Sequence, residues 1–300
     1  MALHLEGTFT ALVTPFIPDA KSIDFDALDR LVDAQIAGGV RGLVPCGTTG
    51  ETPTLDDGEQ LDVIRRVVAR AAGKVPVLAG TGSFSTKKTV AASKAAVAAG
   101  ADGVMVVMPY YNKPSQDGMR AHVLEVASAV DVPIVLYNIP GRSVVDLLPE
   151  TTERICTDAK NVVGMKEATG NVLRCQELVR RLGDRLTVMS GDDGLTLPMM
   201  AVGATGVISV TSNVLPAETS AVTTYFKDGK LDLARRAHFA LLEMHGLLFV
   251  EPNPSPAKAA LALLGAMNSS VRGPLVPASA PLVERLRAAL ERLDKTVVAR

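Results

Sequence analysis

Short apolar segments rich in β-branched residues alternate along the chain with longer segments whose apolar residues recur at helical spacing. Glycine and proline mark most of the boundaries between the two kinds of segment. The predicted strands are Thr8–Thr14, Gly42–Cys46, Val75–Ala79, Gly103–Met108, Ile134–Asn138, Val162–Met165, Thr187–Ser190 and Gly206–Ser209. The predicted helices include Asp26–Ala37, Asp57–Ala72, Thr86–Ala99, Gly118–Val130 and Val172–Leu182, and a last one around Pro216–Phe226.

These elements make up eight strand–helix units, the pattern of a parallel sheet covered by helices. Eight units predict that the sheet closes into a (β/α)8 TIM barrel, an α/β fold, over residues 1–229. A doubly wound open sheet is the alternative, and it usually carries a glycine-rich dinucleotide-binding turn. No such turn follows the first predicted strand, and Gly80–Ser85 lacks the third glycine. The barrel is therefore the predicted architecture.

The last part of the chain, residues 230–300, exceeds what a bare barrel requires. Its pattern predicts three helices, Leu231–Phe249, Pro256–Leu264 and Pro281–Leu293. Proline-containing breaks separate them, at Glu251–Pro254 and Val271–Pro277. No flexible linker divides these helices from the barrel, so we expect a C-terminal helical appendage to a barrel that carries the active site.

Composition narrows the function classes without selecting one. Hydrophobic residues make up 47% of the 300 residues, which suits a parallel sheet covered on both faces. The formal net charge of -1 argues against a surface for nucleic acid or anionic membranes. The three cysteines are widely spaced, so neither a disulfide framework nor a zinc site is indicated. With no long apolar run and no signal-peptide pattern, a cytoplasmic protein is expected.

Lys166 is an unusual residue at the end of the predicted buried strand Val162–Met165. Burial makes the charged ammonium costly and so favours the neutral amine, which is a nucleophile. An amine of that kind condenses with a ketone to form a Schiff base. A lysine at a strand end can also extend into solvent, and this segment alone does not decide between the two.

Hydroxyl-bearing residues gather at the predicted strand ends, where barrels of this kind place their chemistry. Thr48 and Thr49 follow the second strand between two glycines, in a turn that can present hydrogen-bond donors to a carboxylate. Tyr110 and Tyr111 follow the fourth strand, and Tyr137 lies near the end of the fifth. Beside a lysine, this clustering favours proton transfer over core packing.

Charged residues near the strand ends allow more than one interpretation. Arg142 could hold a carboxylate through two parallel hydrogen bonds, although a surface arginine is the plain alternative. Asp192 and Asp193 follow the seventh strand and could serve acid–base work or a metal. Helix capping is the favoured role, because no His or Glu accompanies them. The four histidines are dispersed and form no metal-binding motif.

Taken together, three motifs resemble the dihydrodipicolinate synthase family, one of the pyruvate-dependent class I aldolases that include N-acetylneuraminate lyase. They are Gly47–Glu51, Tyr137–Arg142 and Gly164–Gly170. Four further segments fit the same pattern, in order along the chain: Gly7–Phe16, Pro109–Asn112, Ser190–Asp193 and Gly206–Ser209. The likeness extends to Glu251–Pro254, and several motifs in order are far more specific than any one of them.

The resemblance implies roles for the residues at the centre of the barrel. Lys166 would form a Schiff base with pyruvate, and Tyr137 would move protons beside it. Thr48 would link Tyr137 to Tyr111, which family members lend across a tight dimer interface. The implied assembly is a homotetramer built as a dimer of dimers.

The resemblance also implies the substrates and the residues around them. Pyruvate would condense with L-aspartate 4-semialdehyde in lysine (diaminopimelate) biosynthesis. Thr49 would help to hold the pyruvate carboxylate, and Arg142 would receive the aldehyde substrate at the mouth. Gly191 and Ile208 match backbone positions that line the site. No metal or organic cofactor is implied, and the partners are small molecules rather than nucleic acid or membranes.

Two other functions stay open at this point. A sister aldolase that cleaves a sialic acid or a keto-deoxy sugar acid would share the lysine and the tyrosine. The Thr48–Thr49 pair favours the synthase, because sialate lyases tend to have Ser-Thr there, and Arg142 favours it as well. A catalytically silent barrel that binds a keto acid would be expected to lack Lys166, Tyr137 or Thr48, and all three are present.

Regulation is the point at which the chain departs from the family pattern. Family members that lysine inhibits bind it at the dimer interface, with an Asn and, four positions on, a Glu. The matching residues here are Phe84 and Lys88, with Asp57 and Gln60 on the neighbouring helix. A positive charge opposes a ligand with two ammonium groups, so we expect no feedback inhibition by lysine, although Tyr110 is retained.

Overall fold

The sheet is a closed ring of parallel strands in the computed structural model, which describes residues 3–298. The strands are β1 (Gly7–Ala11), β2 (Gly42–Val44), β3 (Leu78–Gly80), β4 (Gly103–Val107), β5 (Ile134–Asn138), β6 (Val162–Glu167), β7 (Thr187–Ser190) and β8 (Gly206–Ser209). Within the described chain they are ordered β2-β1-β8-β7-β6-β5-β4-β3. A parallel bridge between Leu43 and Val77 joins β2 to the approach of β3 and closes the ring. The predicted (β/α)8 barrel is confirmed.

Helices follow the strands around the barrel and continue beyond it. They are α1 (Phe25–Ala37), α2 (Asp57–Ala71), α3 (Thr86–Ala98), α4 (Gln116–Ala129), α5 (Pro140–Ser143), α6 (Pro149–Asp158), α7 (Val172–Leu182), α8 (Thr196–Ala201), α9 (Pro216–Lys227), α10 (Leu231–Leu247), α11 (Ser255–Leu263) and α12 (Ala280–Val298). Side chains cap the N-termini of several of these helices. At α2 the Asp56 carboxylate accepts from Glu59 N at 2.8 Å, and Glu59 accepts from Asp56 N at 3.1 Å. The three predicted C-terminal helices, α10 to α12, are present.

Strand β6 differs from its prediction at the residue that matters most. The apolar pattern ended the strand at Met165, whereas the structure continues it to Glu167. Lys166 therefore lies inside the strand rather than just after it. Backbone pairing with β5 and β7 sets this boundary, since Lys166 pairs with Tyr137 on one side and with Met189 on the other. A pattern of apolar residues cannot show this extension, because its last two residues are charged.

Side chains alternate between the barrel interior and the helix layer along each strand. On β5, Val135 and Tyr137 belong to the interior cluster, while Ile134 and Leu136 pack toward the helices. On β6, Lys166 shares the inward orientation of Tyr137, since the two are register partners. The interior cluster also contains Phe9, Met105, Met189 and Ile208, with other apolar residues of the strands. It forms the apolar floor below the strand ends.

The C-terminal helices are joined to the barrel by polar contacts as well as by apolar packing. Arg272, between α11 and α12, donates two hydrogen bonds of 2.6 Å to Glu59 on α2. The division of the chain at residue 229 stays a prediction. Among the described residues, the helices are too short or too polar for any of them to cross a membrane.

Candidate active site

Lys166 and Tyr137 lie side by side inside the barrel. Their strands pair so that the two residues are register partners, and both side chains face inward. Lys166 is 5% exposed and Tyr137 is 4% exposed. The Nζ atom of Lys166 lies 4.3 Å from the centroid of the Tyr137 ring. The amine and the phenol that sequence analysis singled out are therefore in contact and shielded from bulk water.

A cavity of about 210 Å³ opens above this pair at the strand ends. Its walls come from the ends of β2 to β5 and from the loops that follow them. The lining residues are Cys46, Gly47, Thr48, Thr52, Pro53, Gly80, Gly82, Met105, Val107, Tyr110, Tyr137, Ile139, Arg142 and Ser143. The lining is mostly apolar, with hydroxyl groups and one guanidinium. Such a site suits a small polar molecule held by a few oriented groups.

Thr48 and Thr49 occupy different sides of a tight turn. The turn is a short 3-10 helix over Thr48–Gly50, closed by a 3.0 Å bond from Gly50 N to Gly47 O. Thr48 lines the cavity, whereas Thr49 is buried behind it. The Oγ1 atom of Thr49 accepts a 2.9 Å hydrogen bond from the amide of Asn253. The turn is thus fixed by the C-terminal part of the chain.

Arg142 lies where this cavity meets a second one of about 560 Å³ at the barrel mouth. It belongs to the short helix α5, which Ser143 holds by donating to Ile139 O at 2.9 Å. The second cavity also contacts Gly191, Asp192 and His245, among other residues. A guanidinium shared by two adjoining cavities can hold a carboxylate that enters from the mouth.

Gly191 has a steric reason to be glycine. Its backbone N–H donates to Glu167 O at 2.7 Å, which draws the loop after β7 against the end of β6. A Cβ atom at this position would lie 2.5 Å from the Cβ of Ala168. Glycine therefore permits the close approach that forms one wall of the second cavity.

The remaining two predicted site residues line neither of these two cavities. Ile208 is 1% exposed and packs in the apolar floor with Tyr137 and Met189. Tyr111 is 89% exposed, and its φ of 69° places it in the left-handed region. Within one chain, its side chain is directed to solvent rather than toward Lys166.

Helix capping was predicted for both aspartates after β7, but only Asp192 caps the turn that follows it. Asp192 accepts from Gly194 N at 2.9 Å and so caps the short turn that follows. Asp193 instead accepts from Val210 N and Thr211 N, at 2.9 and 3.1 Å, and fastens the loop after β8. Burial raises the pKa of Asp192, and hydrogen bonds from the Gly194 backbone oppose that effect. The capping prediction is confirmed for Asp192 and wrong for Asp193.

A polar network behind the strands escaped the sequence reasoning. Asn138 and Glu167 directly follow Tyr137 and Lys166, so they face the helix layer instead of the cavity. Asn138 donates to Asp146 at 2.9 Å and to Glu167 at 3.4 Å. Burial raises the pKa of Glu167, and a hydrogen bond from Thr169 opposes the rise. Strand alternation is the feature that could have found this pair, since each residue adjoins a predicted site residue.

Lys258 is a second buried lysine, and its surroundings differ from those of Lys166. Among the described residues, the buried lysines are these two. Lys258 forms an ion pair with Glu51 in which both side chains are fully buried. Burial lowers the pKa of Lys258 to about 8, with Glu51 acting in the opposite direction. A lysine held by a carboxylate is a poorer nucleophile than one that lies against a phenol ring beside a cavity.

The fold and this site define a class. A (β/α)8 barrel that buries an amine beside a phenol, below a cavity with hydroxyls and an arginine, is the arrangement of enzymes that act through a Schiff base. The dihydrodipicolinate synthetase family model matches residues 4–293. The chain therefore belongs to the dihydrodipicolinate synthetase family.

Individual proteins with names from this family match nearly the whole chain. A 4-hydroxy-tetrahydrodipicolinate synthase of Sorangium cellulosum (strain So ce56) is 71% identical over 292 residues, which cover 97% of each chain. The structure of the 4-hydroxy-tetrahydrodipicolinate synthase from Methylacidiphilum fumariolicum SolV superposes with a TM-score of 0.96 at 40% identity, covering 99% of this chain and 98% of that one. A monomeric dihydrodipicolinate synthase variant has a TM-score of 0.94 at 41% identity, with 97% of each chain covered.

Proposed function

We propose that this protein is a 4-hydroxy-tetrahydrodipicolinate synthase, which condenses pyruvate with L-aspartate 4-semialdehyde in lysine biosynthesis. The observation that carries the proposal is the buried contact between Lys166 Nζ and the ring of Tyr137, at 4.3 Å, since Tyr137 lines the cavity. The 71% identical relative bears the same enzyme name. This function requires an amine nucleophile, a proton-transfer group and two carboxylate sites, and the proposed roles below supply each of them.

The first half of the reaction uses Lys166 as the nucleophile. Its neutral amine adds to the C2 carbonyl of pyruvate, and loss of water gives an iminium ion. The positive nitrogen withdraws electrons, so a proton leaves the methyl group and an enamine forms. Tyr137 adjoins the amine and is the proposed carrier of these protons, with Thr48 as its neighbour in the cavity lining. Lys166 and Tyr137 are 5% and 4% exposed, so bulk water has little access to the two groups.

The second half joins the enamine carbon to the aldehyde carbon of the second substrate. The aldehyde oxygen then takes a proton and becomes a hydroxyl group. The amine of the second substrate next attacks the iminium carbon, which closes the ring and releases Lys166 as a free amine. Over the whole sequence one water molecule is lost, and Lys166 returns to its starting state. No redox step occurs, and every proton that leaves is returned.

Binding roles follow from the two cavities. The turn of Thr48 and Thr49 is proposed to hold the pyruvate carboxylate, because Thr48 lines the cavity together with Tyr137 and Thr49 belongs to the same tight turn. Arg142 is proposed to hold the carboxylate of the aldehyde substrate, because it connects the mouth with the inner cavity. Gly191 and Ile208 would shape the wall and the floor. Each role stays a proposal for these residues.

Assembly is proposed as a homotetramer in which the tight dimer is the active unit. The exposed Tyr111, next to the cavity-lining Tyr110, supports a site that a second copy completes. One structurally similar protein is a monomeric variant, so assembly in this family can vary. The number of chains therefore has to be measured by ultracentrifugation for this protein.

Borohydride trapping tests the central proposal. Reduction in the presence of pyruvate should fix a pyruvyl group to Lys166, and peptide mass mapping should locate it. Lys166→Ala is the control and should remain unlabelled at that peptide. A label on Lys258 or on the exposed Lys113 would contradict the assignment of the nucleophile.

A substrate panel distinguishes the synthase from its sister aldolases. The purified enzyme is supplied with pyruvate and aspartate semialdehyde, and pyruvate consumption is followed. In parallel, sialic acid and keto-deoxy sugar acids are supplied and pyruvate release is followed. Consumption with aspartate semialdehyde is the expected result. Release of pyruvate from a sugar acid, without that consumption, would overturn the synthase proposal.

A further inference from the structure

The turn Thr48–Gly50, which lines the cavity together with Tyr137, is held by residues from the C-terminal part of the chain. Asn253, in the segment between α10 and α11, donates from Nδ2 to Thr49 Oγ1 at 2.9 Å. The two residues are 204 positions apart, and both are buried, at 5% and 3% exposure. An oxygen that accepts from Asn253 keeps its own hydrogen for a different acceptor. The contact therefore orients the Thr49 hydroxyl.

A second set of contacts holds the chain two residues further along, at Glu51. Glu51 has a φ of 55°, in the left-handed region, and its side chain forms the fully buried ion pair with Lys258 on α11. Lys258 also donates to Ser270 O at 2.9 Å and lies 4.0 Å from the centroid of the Phe16 ring. Arg272 N donates to Glu51 Oε2 at 2.9 Å. Two partners, Lys258 and the backbone of Arg272, thus hold the glutamate.

Stability alone is a weak explanation for this arrangement. A buried ion pair gains little net free energy over apolar residues of the same volume, because both charges lose their hydration. What such a pair supplies is a fixed geometry, since moving either partner leaves an unpaired buried charge. Here the fixed object is the short turn whose first residue, Thr48, lines the cavity. Donors that bind a carboxylate work best when they are already aligned.

We propose that Asn253 and Lys258 are positioning residues for the pyruvate subsite. They touch no substrate, and they act by holding Thr49 and Glu51, so that the turn keeps its donors directed at the carboxylate. The inference rests on the proposed function, since it assigns the turn to pyruvate. It makes the C-terminal appendage a part of the active site. Its signature is a selective weakening of pyruvate binding, with the aldehyde substrate unaffected.

A double-mutant cycle between Asn253 and Thr49 tests the first contact. The readout is the pyruvate concentration that gives half-maximal borohydride trapping at Lys166, which needs no second substrate. Asn253→Ala should raise that concentration roughly tenfold, the effect of losing one oriented hydrogen bond. Thr49→Val should raise it as well, and the double variant should be no worse than Thr49→Val alone. Independent, additive effects would overturn the proposed coupling.

A matched control separates positioning from a general loss of stability. Asn161 is also a structural asparagine, and its side-chain amide donates to Ala127 O and Val130 O, at 3.0 and 2.8 Å. Asn161→Ala should lower the Tm but leave the pyruvate dependence of trapping unchanged. If Asn161→Ala weakened pyruvate binding as much as Asn253→Ala, a general structural effect would explain both, and the inference would fall.

The ion pair is tested by removing and then restoring charge balance. Lys258→Met leaves the Glu51 carboxylate buried without its cation, so pyruvate binding should weaken more than tenfold. Adding Glu51→Gln should recover part of that loss. If Lys258→Met does not fold, the Asn253 cycle still decides the question. Full retention of pyruvate binding in a folded Lys258→Met variant would overturn the role of the pair.

The wild-type protein separates this inference from the proposed function. If pyruvate and borohydride label nothing in the wild type, the proposed Schiff-base function fails. If the wild type is labelled at Lys166 and Asn253→Ala shows the same pyruvate dependence, the function stands and the positioning role is wrong. The KM of the aldehyde in steady-state assays should remain within about twofold of the wild type for Asn253→Ala. An equal rise in both Michaelis constants would also contradict the inference.

Discussion

Tyr137 combines two roles in one side chain, because its ring packs in the apolar floor and contacts Lys166. Tyr137→Phe keeps the ring and removes only the hydroxyl. We expect turnover to fall roughly 10²–10⁴-fold, the usual contribution of one acid–base group, while the fold is retained. Steady-state rates with circular dichroism as the check on folding give the answer. A rate equal to that of the wild type would show that water transfers the proton.

The second prediction at the scale of residues concerns feedback inhibition by L-lysine, and it rests on Phe84 and Lys88. The Phe84 ring packs edge-on against Tyr110, with 5.5 Å between the centroids. Lys88 lies one turn further, on α3, and contributes a positive charge. Free L-lysine carries two ammonium groups, so we expect no inhibition at submillimolar concentrations.

An initial-rate titration with L-lysine at fixed pyruvate checks this expectation. Half-inhibition below 1 mM, on the order of -4 kcal/mol of binding, would contradict it. A double variant with Phe84→Asn and Lys88→Glu is the matched test of the cause, because it restores the polar pattern of lysine-sensitive family members. If L-lysine inhibits the double variant but not the wild type, these two residues account for the insensitivity of the wild type to L-lysine.

At the scale of elements, the alternation of strands and helices could be predicted from the sequence. Side chains on one face recur about every two positions in a strand and about every 3.6 positions in a helix. The short helices α5 and α8 were not named in advance, since four and six residues carry too little periodicity. Helix α6 belongs to one of the eight predicted strand–helix units, but the sequence analysis gave it no bounds. Such elements are fixed by their contacts with the rest of the barrel.

The site was predictable to the extent that it lies at strand ends. Lys166, Tyr137, Thr48 and Arg142 come together as the strand order requires. The supporting residues were not predictable, because Asn253 and Lys258 reach the turn across more than 200 positions of sequence. No local pattern encodes a contact of that range.

The contact between α3 and α4 gives the element-scale prediction. His122 on α4 shares a 3.0 Å hydrogen bond with Thr86 on α3, and burial lowers the pKa of the imidazole to about 4. In the unfolded chain the pKa returns to about 6.5, so the unfolded state binds more protons between these values. The free energy of unfolding should therefore fall as the pH drops from 6.5 to 4, by roughly 2–3 kcal/mol from this group.

Replacing the imidazole tests that pH dependence. His122→Gln cannot titrate, so its unfolding free energy should change less steeply with pH in this window than that of the wild type. Urea unfolding at several pH values between 4.5 and 7 measures the slope, and His4→Gln, at an exposed position, is the matched control. Equal slopes for the wild type and His122→Gln would contradict the prediction.

At the scale of the whole molecule, the exposure of Tyr111 leads to a prediction about how the chains assemble. Its side chain is 89% exposed, which is unusual for a residue assigned to an active site. If a second chain receives it, then a Tyr111→Phe chain and a Lys166→Ala chain, each inactive alone, should together regain activity. The expected gain is a fraction of wild-type activity, because mixed dimers contain one intact site. Absence of rescue, with mixed dimers confirmed by native mass spectrometry, would show that each barrel is self-contained.

The long reach of Asn253 to Thr49 also has a consequence for synthesis of the chain. The two residues are 204 positions apart, a distance that takes roughly 10–40 s to translate at 5–20 residues per second. Once residue 166 has been added, the nascent chain contains both Tyr137 and Lys166, while Glu51 still lacks the Lys258 cation. A chain released early by the ribosome would thus carry Lys166, the proposed nucleophile, without the C-terminal residues that hold the Thr48–Gly50 turn. If Asn253 and Lys258 have the proposed positioning role, the chain becomes competent for the reaction only after Lys258 has been synthesised.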